Sequence, residues 1–382
     1  MAFALTACSA TSAARHTGPG PRFAAAGHDG PIPQAASQTS SGKVAATPVL
    51  PQKPPAAFGV GLSIVTWDEA QGVTENFRAG TSQAGRTMQV EILYPTLGPP
   101  GSVVDLAAPA YRFGPYPLIV FAHGYNVDPN TYRALLASWA GAGYVVAAPF
   151  FPDTSLPAVA AQQGADTESD IFNQPGDVAF VVSQVAAAAA GGSASTHAAY
   201  LAGLVNTAQL ILAGQSDGGD TVAALMYDKV YAATRASMPV KPIAVGIFSG
   251  AEMSREADAF SAPPGGPPVL VVQSLTDACN YPANSSQLYN MLPGPKWFLA
   301  IDNSTHLGPY VGLGAAAAVV EQVTAGFFDL VAHRGRTTAA LLGREGNRPG
   351  VSTLTNAATV PSYPAPASGV DGCSLPPGAP TD

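Results

Sequence analysis

The sequence predicts an α/β protein with a mainly parallel sheet of about eight strands and helices on both faces. From about residue 58 onward, short aliphatic runs alternate with longer helix-compatible segments, which is typical of strands joined by crossover helices. The first two runs are separated only by a polar loop containing Gly80 and Gly85, so we expect them to pair antiparallel. Later runs are joined by helical stretches, so we expect those strands to run parallel.

The individual elements follow from the same pattern. Strands are predicted at residues 60–66, 88–94, 118–122, 144–148, 210–213, 243–248, 269–273 and 297–301. Helices are predicted near residues 131–142, 177–190, 218–234, 285–292 and 314–333. With 382 residues, 47% of them hydrophobic, the chain is long enough to bury a substantial core.

Composition divides the chain into three parts. Residues 1–57 are dominated by Ala, Ser, Thr, Pro and Gly, which indicates a signal remnant followed by a disordered linker. Residues 58–350 are predicted to form one large α/β domain without a large cap domain. Residues 351–382 are rich in Pro, Ser, Ala and Gly and are predicted to form a C-terminal tail.

Charge and motif content exclude several classes of function. The formal net charge is −8 and the 17 Lys and Arg residues are scattered, so no basic stripe is available to bind a phosphate backbone. We therefore expect no nucleic-acid partner. No apolar run approaches the roughly 18 residues that a membrane-spanning helix needs. The sequence has no CxxC and no HExxH pattern, which removes the common zinc sites.

The N-terminus resembles the end of a bacterial lipoprotein signal. The segment MAFALTAC ends in Leu-Thr-Ala-Cys, and in such signals the cysteine, here Cys8, becomes the lipidated first residue of the mature chain. The positively charged start of an export signal is missing, which we interpret as a truncated or misassigned beginning. We expect an extracellular or cell-envelope protein with a membrane tether through Cys8. The alternative is a disordered tail without function.

The remaining cysteines are consistent with export. If Cys8 carries a lipid, Cys279 and Cys373 remain as a pair, which an oxidising compartment would tend to join. The predicted bridge would attach the tail to the loop after a core strand, and it would contribute about 4 to 5 kcal/mol in the chain-entropy model. The alternative is a buried, reduced Cys279 and a dangling Cys373.

The segment ILAGQSDGGDTVAAL at residues 211–225 points to a catalytic nucleophile. Its G-x-S-x-G pattern directly follows a predicted strand and directly precedes a predicted helix, so Ser216 must occupy a tight, strained turn. Gly214 and Gly218 remove side chains that would clash with the neighbouring strand and helix. The same turn directs the backbone N–H of Asp217 toward the place where an oxyanion would form.

Two further groups of a Ser-His-Asp triad follow in order. Asp277 lies four residues after the predicted strand at 269–273, and His306 lies five residues after the strand at 297–301. Both therefore lie at carboxyl ends of parallel strands, where α/β active sites form. His306 is the expected general base for Ser216, and Asp277 is the expected carboxylate that orients it. Asp302, on the same loop as His306, is the competing candidate.

A second oxyanion donor is expected from the loop after the strand at 118–122. That strand ends in FAHGYN, and the bend at His123 and Gly124 would direct the backbone N–H of Tyr125 at the serine. We interpret His123 as a residue of the bend rather than as an acid or base. Asp217 and Asp220 are interpreted as carboxylates that stabilise the first turn of the nucleophile helix.

These motifs resemble the α/β-hydrolase superfamily, in particular the group of dienelactone hydrolases, chlorophyllases, platelet-activating-factor acetylhydrolases and bacterial cutinase-like polyesterases. The matching segments are GRTMQVEILYPT (85–96), YPLIVFAHGYN (116–126), AGYVVAAPFFPDT (142–154), QPGDVAFVVSQV (174–185), LAGLVNTAQLILAGQSDGG (201–219) and STHLGPY (304–310). The resemblance covers residues 58–345. This chain has Gln215 where the group commonly has His or Trp before the nucleophile, and Gln174-Pro175 where Arg-Pro is common.

The resemblance implies hydrolysis of carboxylic esters through an acyl-enzyme, without a metal or an organic cofactor. The expected substrate is a small-molecule or lipid-like ester. One alternative keeps the chemistry but changes the substrate to a polyester chain, which an open cleft could accept. Another alternative is an exported binding protein that kept the fold and lost the activity. The sequence does not indicate the oligomeric state.

Overall fold

The computed structural model describes residues 57–192, 196–253, 260–262 and 265–364. All the described residues belong to the unit Lys53–Asp382. Their central feature is a sheet of ten strands in the order β10-β9-β8-β7-β6-β4-β5-β2-β1-β3. The strands are β1 (Gly59–Asn76), β2 (Thr81–Thr96), β3 (Val103–Asp105), β4 (Tyr116–Ala122), β5 (Val145–Phe150), β6 (Val205–Gln215), β7 (Pro242–Phe248), β8 (Val269–Ser274), β9 (Lys296–Ile301) and β10 (Ser352–Thr355).

The helices lie between the strands along the chain. They are α1 (Arg133–Gly141), α2 (Leu156–Ala161), α3 (Gln174–Ala189), α4 (Asp217–Tyr227), α5 (Ala232–Ser237), α6 (Pro282–Met291), α7 (Gly308–Val311), α8 (Ala315–Val331) and α9 (Ala339–Gly346). No helix of the described residues is long and apolar enough to cross a membrane.

The six central strands of the sheet are parallel, and an antiparallel strand pairs with each side of this block. Strands β5, β4, β6, β7, β8 and β9 pair parallel in that spatial order. Strand β2 pairs antiparallel with β5, and β1 pairs antiparallel with β2. All carboxyl ends of the six parallel strands therefore lie along one edge, where the loops that carry function are expected.

Both faces of the parallel strands are buried. In β4, Leu118 belongs to one hydrophobic core and the next residue, Ile119, to the other. The first core includes apolar side chains of α3, α4 and α6, and the second includes those of α1 and α8. Because successive strand residues point to opposite faces, a strand covered on both sides must be apolar throughout, as the aliphatic runs are.

The eight strands expected from the sequence are present, and the expected antiparallel pairing of the first two is confirmed. The strand count is higher than eight because β3 and β10 were not expected. Each is short, and β10 reads Ser-Thr-Leu-Thr, with only alternate residues buried. The residues of β10 were assigned to the C-terminal tail, but they pair antiparallel with β9. The beginning of that segment is therefore part of the sheet.

The predicted helix at residues 218–234 is two helices. Helix α4 ends at Tyr227, because Asp228 adopts an extended backbone conformation, with φ −82° and ψ 137°. Helix α5 begins at Ala232. The short helices α2, α7 and α9 were not expected. In α2 and α7 a proline in the first turn supplies a backbone angle suited to helix initiation.

One arginine binds three buried carboxylates. It lies in β2, just before the residues that pair with β5. Arg86 of β2 donates two hydrogen bonds to Asp177, both at 2.7 Å, and contacts Asp153 at 3.0 Å and Asp170 at 2.5 Å. Burial raises the pKa of Asp177 to about 7, with a further increase from Asp170, while Arg86 opposes the shift. A single cation thus holds together β2, the segment after β5 and the start of α3.

Replacing this cation should cost much of the stability. Arg86→Met leaves three buried carboxylates without a counter-ion, so we expect the free energy of unfolding at pH 7.5 to fall by about 3 to 5 kcal/mol. Urea denaturation measures this change. Arg78, exposed at the turn between β1 and β2, provides the matched control, because Arg78→Met should cost less than about 1 kcal/mol. Equal losses in the two variants would contradict this account.

Candidate active site

Ser216 lies at the turn between β6 and α4 in a strained backbone conformation. Its φ is 57° and its ψ is −127°, a region that L-residues rarely occupy. Two backbone hydrogen bonds hold the turn: Ser216 N–H donates to the Phe248 carbonyl and Asp220 N–H donates to the Ser216 carbonyl, both at 2.9 Å. The geometry is that expected of a nucleophile raised at the end of a central strand.

The glycines around Ser216 are required by close backbone contacts. A Cβ atom on Gly214 would lie 2.1 Å from the Gly218 carbonyl oxygen, and one on Gly218 would lie 2.0 Å from the carbonyl oxygen of Ala122. Both distances are far below any van der Waals contact. Larger residues at either position would therefore push α4 away from β4 and β6 and would move Ser216.

Asp277 and His306 meet at the same edge of the sheet, as expected. His306 Nδ1 lies 2.8 Å from Asp277 Oδ2, and both side chains are buried. Asp277 follows β8 and His306 follows β9, so parallel neighbouring strands bring them together. Since the carboxylate accepts from Nδ1, the neutral imidazole carries its proton on Nδ1 and its lone pair on Nε2.

The orientation of the Asp277 carboxylate is fixed by further donors. Oδ1 accepts from the backbone N–H groups of Cys279 and Asn280 at 2.9 and 3.0 Å. Oδ2 accepts from the side-chain amide of Gln273 at 3.2 Å in addition to His306. A carboxylate with this set of donors has little freedom to turn away from the imidazole.

Asp302, the competing candidate, is in a different position. It directly follows β9, its backbone N–H donates to Val351 at 2.9 Å, and its side chain is half-buried. Among the described residues, the Asp302 carboxylate makes no hydrogen bond with His306, whereas that of Asp277 does. The structure therefore pairs His306 with Asp277.

The Nε2 atom of His306 contacts Gln215 and not Ser216. The side-chain nitrogen of Gln215 lies 3.2 Å from Nε2 and 3.5 Å from the His306 carbonyl oxygen. Within the described residues, the Ser216 hydroxyl has no hydrogen-bond partner, so its bond to His306 is not formed in this arrangement. Gln215 was noted in the sequence only as a departure from a family pattern.

The loop after β4 approaches Ser216 closely. A Cβ atom on Gly124 would lie 2.9 Å from Ser216 Cβ, so only a glycine allows this approach. The Gly124 N–H donates to the Tyr132 hydroxyl at 3.3 Å. Tyr125, the expected second oxyanion donor, is half-buried and its hydroxyl accepts from Thr167 at 3.4 Å. Its backbone is thus adjacent in sequence to the glycine that contacts the serine.

His123 has the structural role expected for it. Its Nδ1 lies 2.7 Å from the Gly124 carbonyl oxygen, and its Nε2 accepts from the Phe151 N–H at 3.0 Å. Burial lowers the pKa of His123 to about 4. The neutral ring therefore links the loops after β4 and β5 and does not face the serine.

Asp217 and Asp220 lie in the first turn of α4, as expected, but Asp217 is buried and Asp220 is half-buried, which was not expected. Burial raises the pKa of Asp217 to about 7, with a further increase from Glu168. Burial also raises the pKa of Asp220 well above its usual range, and Asp217 adds to the shift. Asp217 Oδ2 has no hydrogen-bond partner among the described residues, while Asp220 Oδ1 accepts from Ala251 N–H at 2.5 Å.

Other predicted positions lie elsewhere or cannot be placed. Cys8 and Cys373 lie outside the described residues, so the lipid anchor and the Cys279–Cys373 bridge remain predictions. Among the described residues, no three His, Cys, Asp or Glu side chains are grouped so as to hold a metal ion. A cavity of about 1010 Å³, bordered by Arg235, Pro242 and Trp297, opens near the amino ends of β7 and β9 and contains none of the proposed catalytic residues.

Comparison with known proteins bears on the fold. The Chlorophyllase family model matches residues 72–254. A solved structure, a ferulic acid esterase from Streptomyces cinnamoneus, superimposes with a TM-score of 0.51 at 20% identity, covering 76% of this chain and 94% of that one. The chain has the α/β-hydrolase fold. The resemblance expected from the sequence is thus confirmed. No curated protein matches the sequence.

The two findings bear on function at a coarser level than the site. The family match agrees with the resemblance expected from the sequence, while the solved structure, at 20% identity, shows the fold alone. They do not address the triad, the oxyanion donors or an acyl-enzyme. Those finer assignments depend on the contacts described above.

The buried carboxyl of Asp217 should make stability depend on pH. Its pKa is about 7 in the folded chain and about 3.9 when unfolded, so the folded state binds the extra proton between these values. The contribution of this group to the free energy of unfolding is fully present below about pH 4 and is lost as the pH rises to about 7. The stability advantage of Asp217→Asn, which mimics the neutral carboxyl, over the parent chain should therefore increase by about 2.5 kcal/mol from pH 5 to pH 8.

Urea denaturation at the two pH values measures this difference. Asp105→Asn, at an exposed position of β3, is the control. Its difference in the free energy of unfolding from the parent chain should vary by less than about 0.5 kcal/mol between the two pH values. If Asp217→Asn changes stability equally at both pH values, the carboxyl of Asp217 is ionised throughout that range and the proposed burial effect is wrong.

Proposed function

We propose that the protein is a serine carboxylic-ester hydrolase that works through an acyl-enzyme, with Ser216 as nucleophile, His306 as general base and Asp277 as its orienting carboxylate. The observation that carries the proposal is the 2.8 Å contact of His306 Nδ1 with Asp277 beside the strained turn of Ser216. Three groups from distant parts of the chain lie at one sheet edge, and we assign them the roles that ester hydrolysis requires.

The first half of the reaction acylates the serine. The Ser216 hydroxyl turns to the Nε2 lone pair of His306 and transfers its proton there as Oγ bonds to the ester carbonyl carbon. The imidazolium is stabilised by Asp277. When the tetrahedral intermediate collapses, the alcohol leaves with the proton from Nε2 and the acyl group stays on Oγ. The second half repeats these steps with water as the nucleophile, which releases the acid and restores Ser216.

The developing oxyanion is proposed to bind the backbone N–H groups of Tyr125 and Asp217. Asp217 is the first residue of α4, so the positive end of the helix dipole lies behind its amide. Tyr125 follows Gly124, which makes the close approach to Ser216. Each such donor is worth about 3 to 4 kcal/mol in the transition state.

Small-molecule or lipid-like esters are the proposed substrate class. The solved neighbour is named for ferulic acid, a small aromatic acid, and this favours small esters over the alternative of a polyester chain. We propose further that the protein acts outside the cytoplasm, tethered through Cys8 and with Cys279 joined to Cys373. Reaction with a fluorophosphonate would separate an active hydrolase from a binding protein that has kept only the fold.

Removal of the nucleophile tests the proposal directly. Ser216→Ala should lower kcat/KM for a short p-nitrophenyl ester by at least about 1000-fold, because no other group supplies the acyl-enzyme route. The thermal midpoint should stay within a few degrees. Ser249→Ala provides the control, since Ser249 also has a positive φ, 45°, directly after the neighbouring β7, and is a buried serine outside the proposed triad. Its activity should remain within about threefold, and equal activity of Ser216→Ala would refute the assignment.

The identity of the orienting carboxylate is tested by a second pair of variants. Asp277→Asn should lower kcat by at least about 100-fold, because the amide neither fixes the Nδ1–H tautomer nor stabilises the imidazolium. Asp302→Asn should stay within about threefold of the parent chain. Steady-state kinetics on the same ester measure both. The reverse order would assign the role to Asp302.

A further inference from the structure

The lone pair that should receive the serine proton is already engaged. His306 Nδ1 contacts Asp277, so the lone pair of the neutral ring is on Nε2. That lone pair faces the side-chain nitrogen of Gln215 at 3.2 Å. Gln215 is completely buried and His306 nearly so, so water does not easily replace this contact.

The orientation of the Gln215 amide is determined by its other neighbour. The Tyr132 hydroxyl donates to Gln215 Oε1 at 2.5 Å, and the Tyr132 oxygen accepts the Gly124 N–H. Since Tyr132 accepts from Gly124, its own proton is free to go to Gln215, whose carbonyl end must then face the tyrosine. The NH₂ end is therefore directed at His306 as a donor.

These bonds form one chain across the proposed site. It runs from the backbone amide of Gly124, next to Tyr125, through Tyr132 and Gln215 to His306 and Asp277. Each donor and acceptor is matched, which is the condition under which a buried polar network is stable. Ser216 is not a member of the chain, although it directly follows Gln215.

We propose that Gln215 is a positioning residue that holds His306 in a resting arrangement, and that acylation requires its N–H to be exchanged for the Ser216 O–H at Nε2. This inference rests on the proposed serine hydrolase function. The exchange requires Ser216 Oγ to come within hydrogen-bond distance of Nε2 as the Gln215 amide withdraws. The resting bond stabilises the free enzyme but not the transition state, so it slows the first chemical step.

The expected effect has a definite sign and size. A buried neutral hydrogen bond contributes a modest net stabilisation, so its loss from the free enzyme should speed acylation by about 3- to 10-fold. The Asp277 bond remains to orient the ring. If Gln215 only filled space or supported the turn, its removal would slow the reaction or leave it unchanged.

The test uses the rate at which a fluorophosphonate labels Ser216. In that reaction the serine oxygen bonds to phosphorus, the P–F bond breaks, fluoride leaves and the serine proton passes to His306. Gln215→Met keeps the volume of the side chain and removes its donor. The second-order rate constant for labelling should rise about 3- to 10-fold above that of the parent chain.

Two further variants distinguish the loss of the hydrogen bond from a folding defect. Gln215→Met/Tyr132→Phe also removes the hydroxyl that the single change leaves without an acceptor, and it should label as fast as Gln215→Met or faster. Gln174→Met is the matched control, because Gln174 is another fully buried glutamine that bonds Thr154 and Thr221. It should show no increase in the rate. Thermal midpoints identify a variant that does not fold.

The outcomes separate this inference from the function on which it rests. Faster labelling of the Gln215 variants, with labelling lost in Ser216→Ala, supports it. Equal or slower labelling of both folded Gln215 variants, while the parent chain is labelled at Ser216, overturns the resting arrangement and leaves the hydrolase proposal standing. Absence of labelling in the parent chain refutes the proposed function and the inference together.

Discussion

The contact on which the proposed site depends is the close packing of the first turn of α4 against β4 and β6. The carbonyl of Ala122 occupies the space where a Cβ of Gly218 would lie, and the carbonyl of Gly218 does the same for Gly214. These contacts leave Ser216 no relaxed conformation, and its φ of 57° is the result. The strain is maintained because both flanking strands are buried on both faces.

The proposed oxyanion at that turn requires the neighbouring carboxyl groups to carry little negative charge. An oxyanion beside Asp217 would be repelled by an ionised carboxyl on the same residue, and Asp220 lies one helical turn further on. Burial raises the pKa of both carboxyls, to about 7 for Asp217. Below about pH 7 the first turn of α4 can therefore present its amides with reduced opposing charge. The neutral form of these acids, which burial favours, is the form compatible with an oxyanion at this turn.

Much of this arrangement could be predicted from the sequence, and the exceptions have physical reasons. Ser216, Asp277 and His306 were identified because each follows an aliphatic strand, and chain order alone brings the ends of parallel strands to one edge. The contact of Gln215 with His306 was not predictable. The two residues are 91 positions apart, and their contact depends on the direction in which the Gln215 side chain leaves its turn. The burial of Asp217 and Asp220 was missed because acids in a first helical turn are usually exposed. Strand β10 was missed because its four residues have no continuous apolar run.

The wall of the site is held by the same kind of buried polar contact as its centre. The segment between β5 and α3 carries Asp153 and Asp170, both bound to Arg86. It also carries Glu168 and Thr167, which face Asp217 and Tyr125. Loops near active sites commonly move because few buried contacts hold them. Here the ion cluster fixes the loop to β2, so we expect this side of the proposed site to keep its position relative to the sheet.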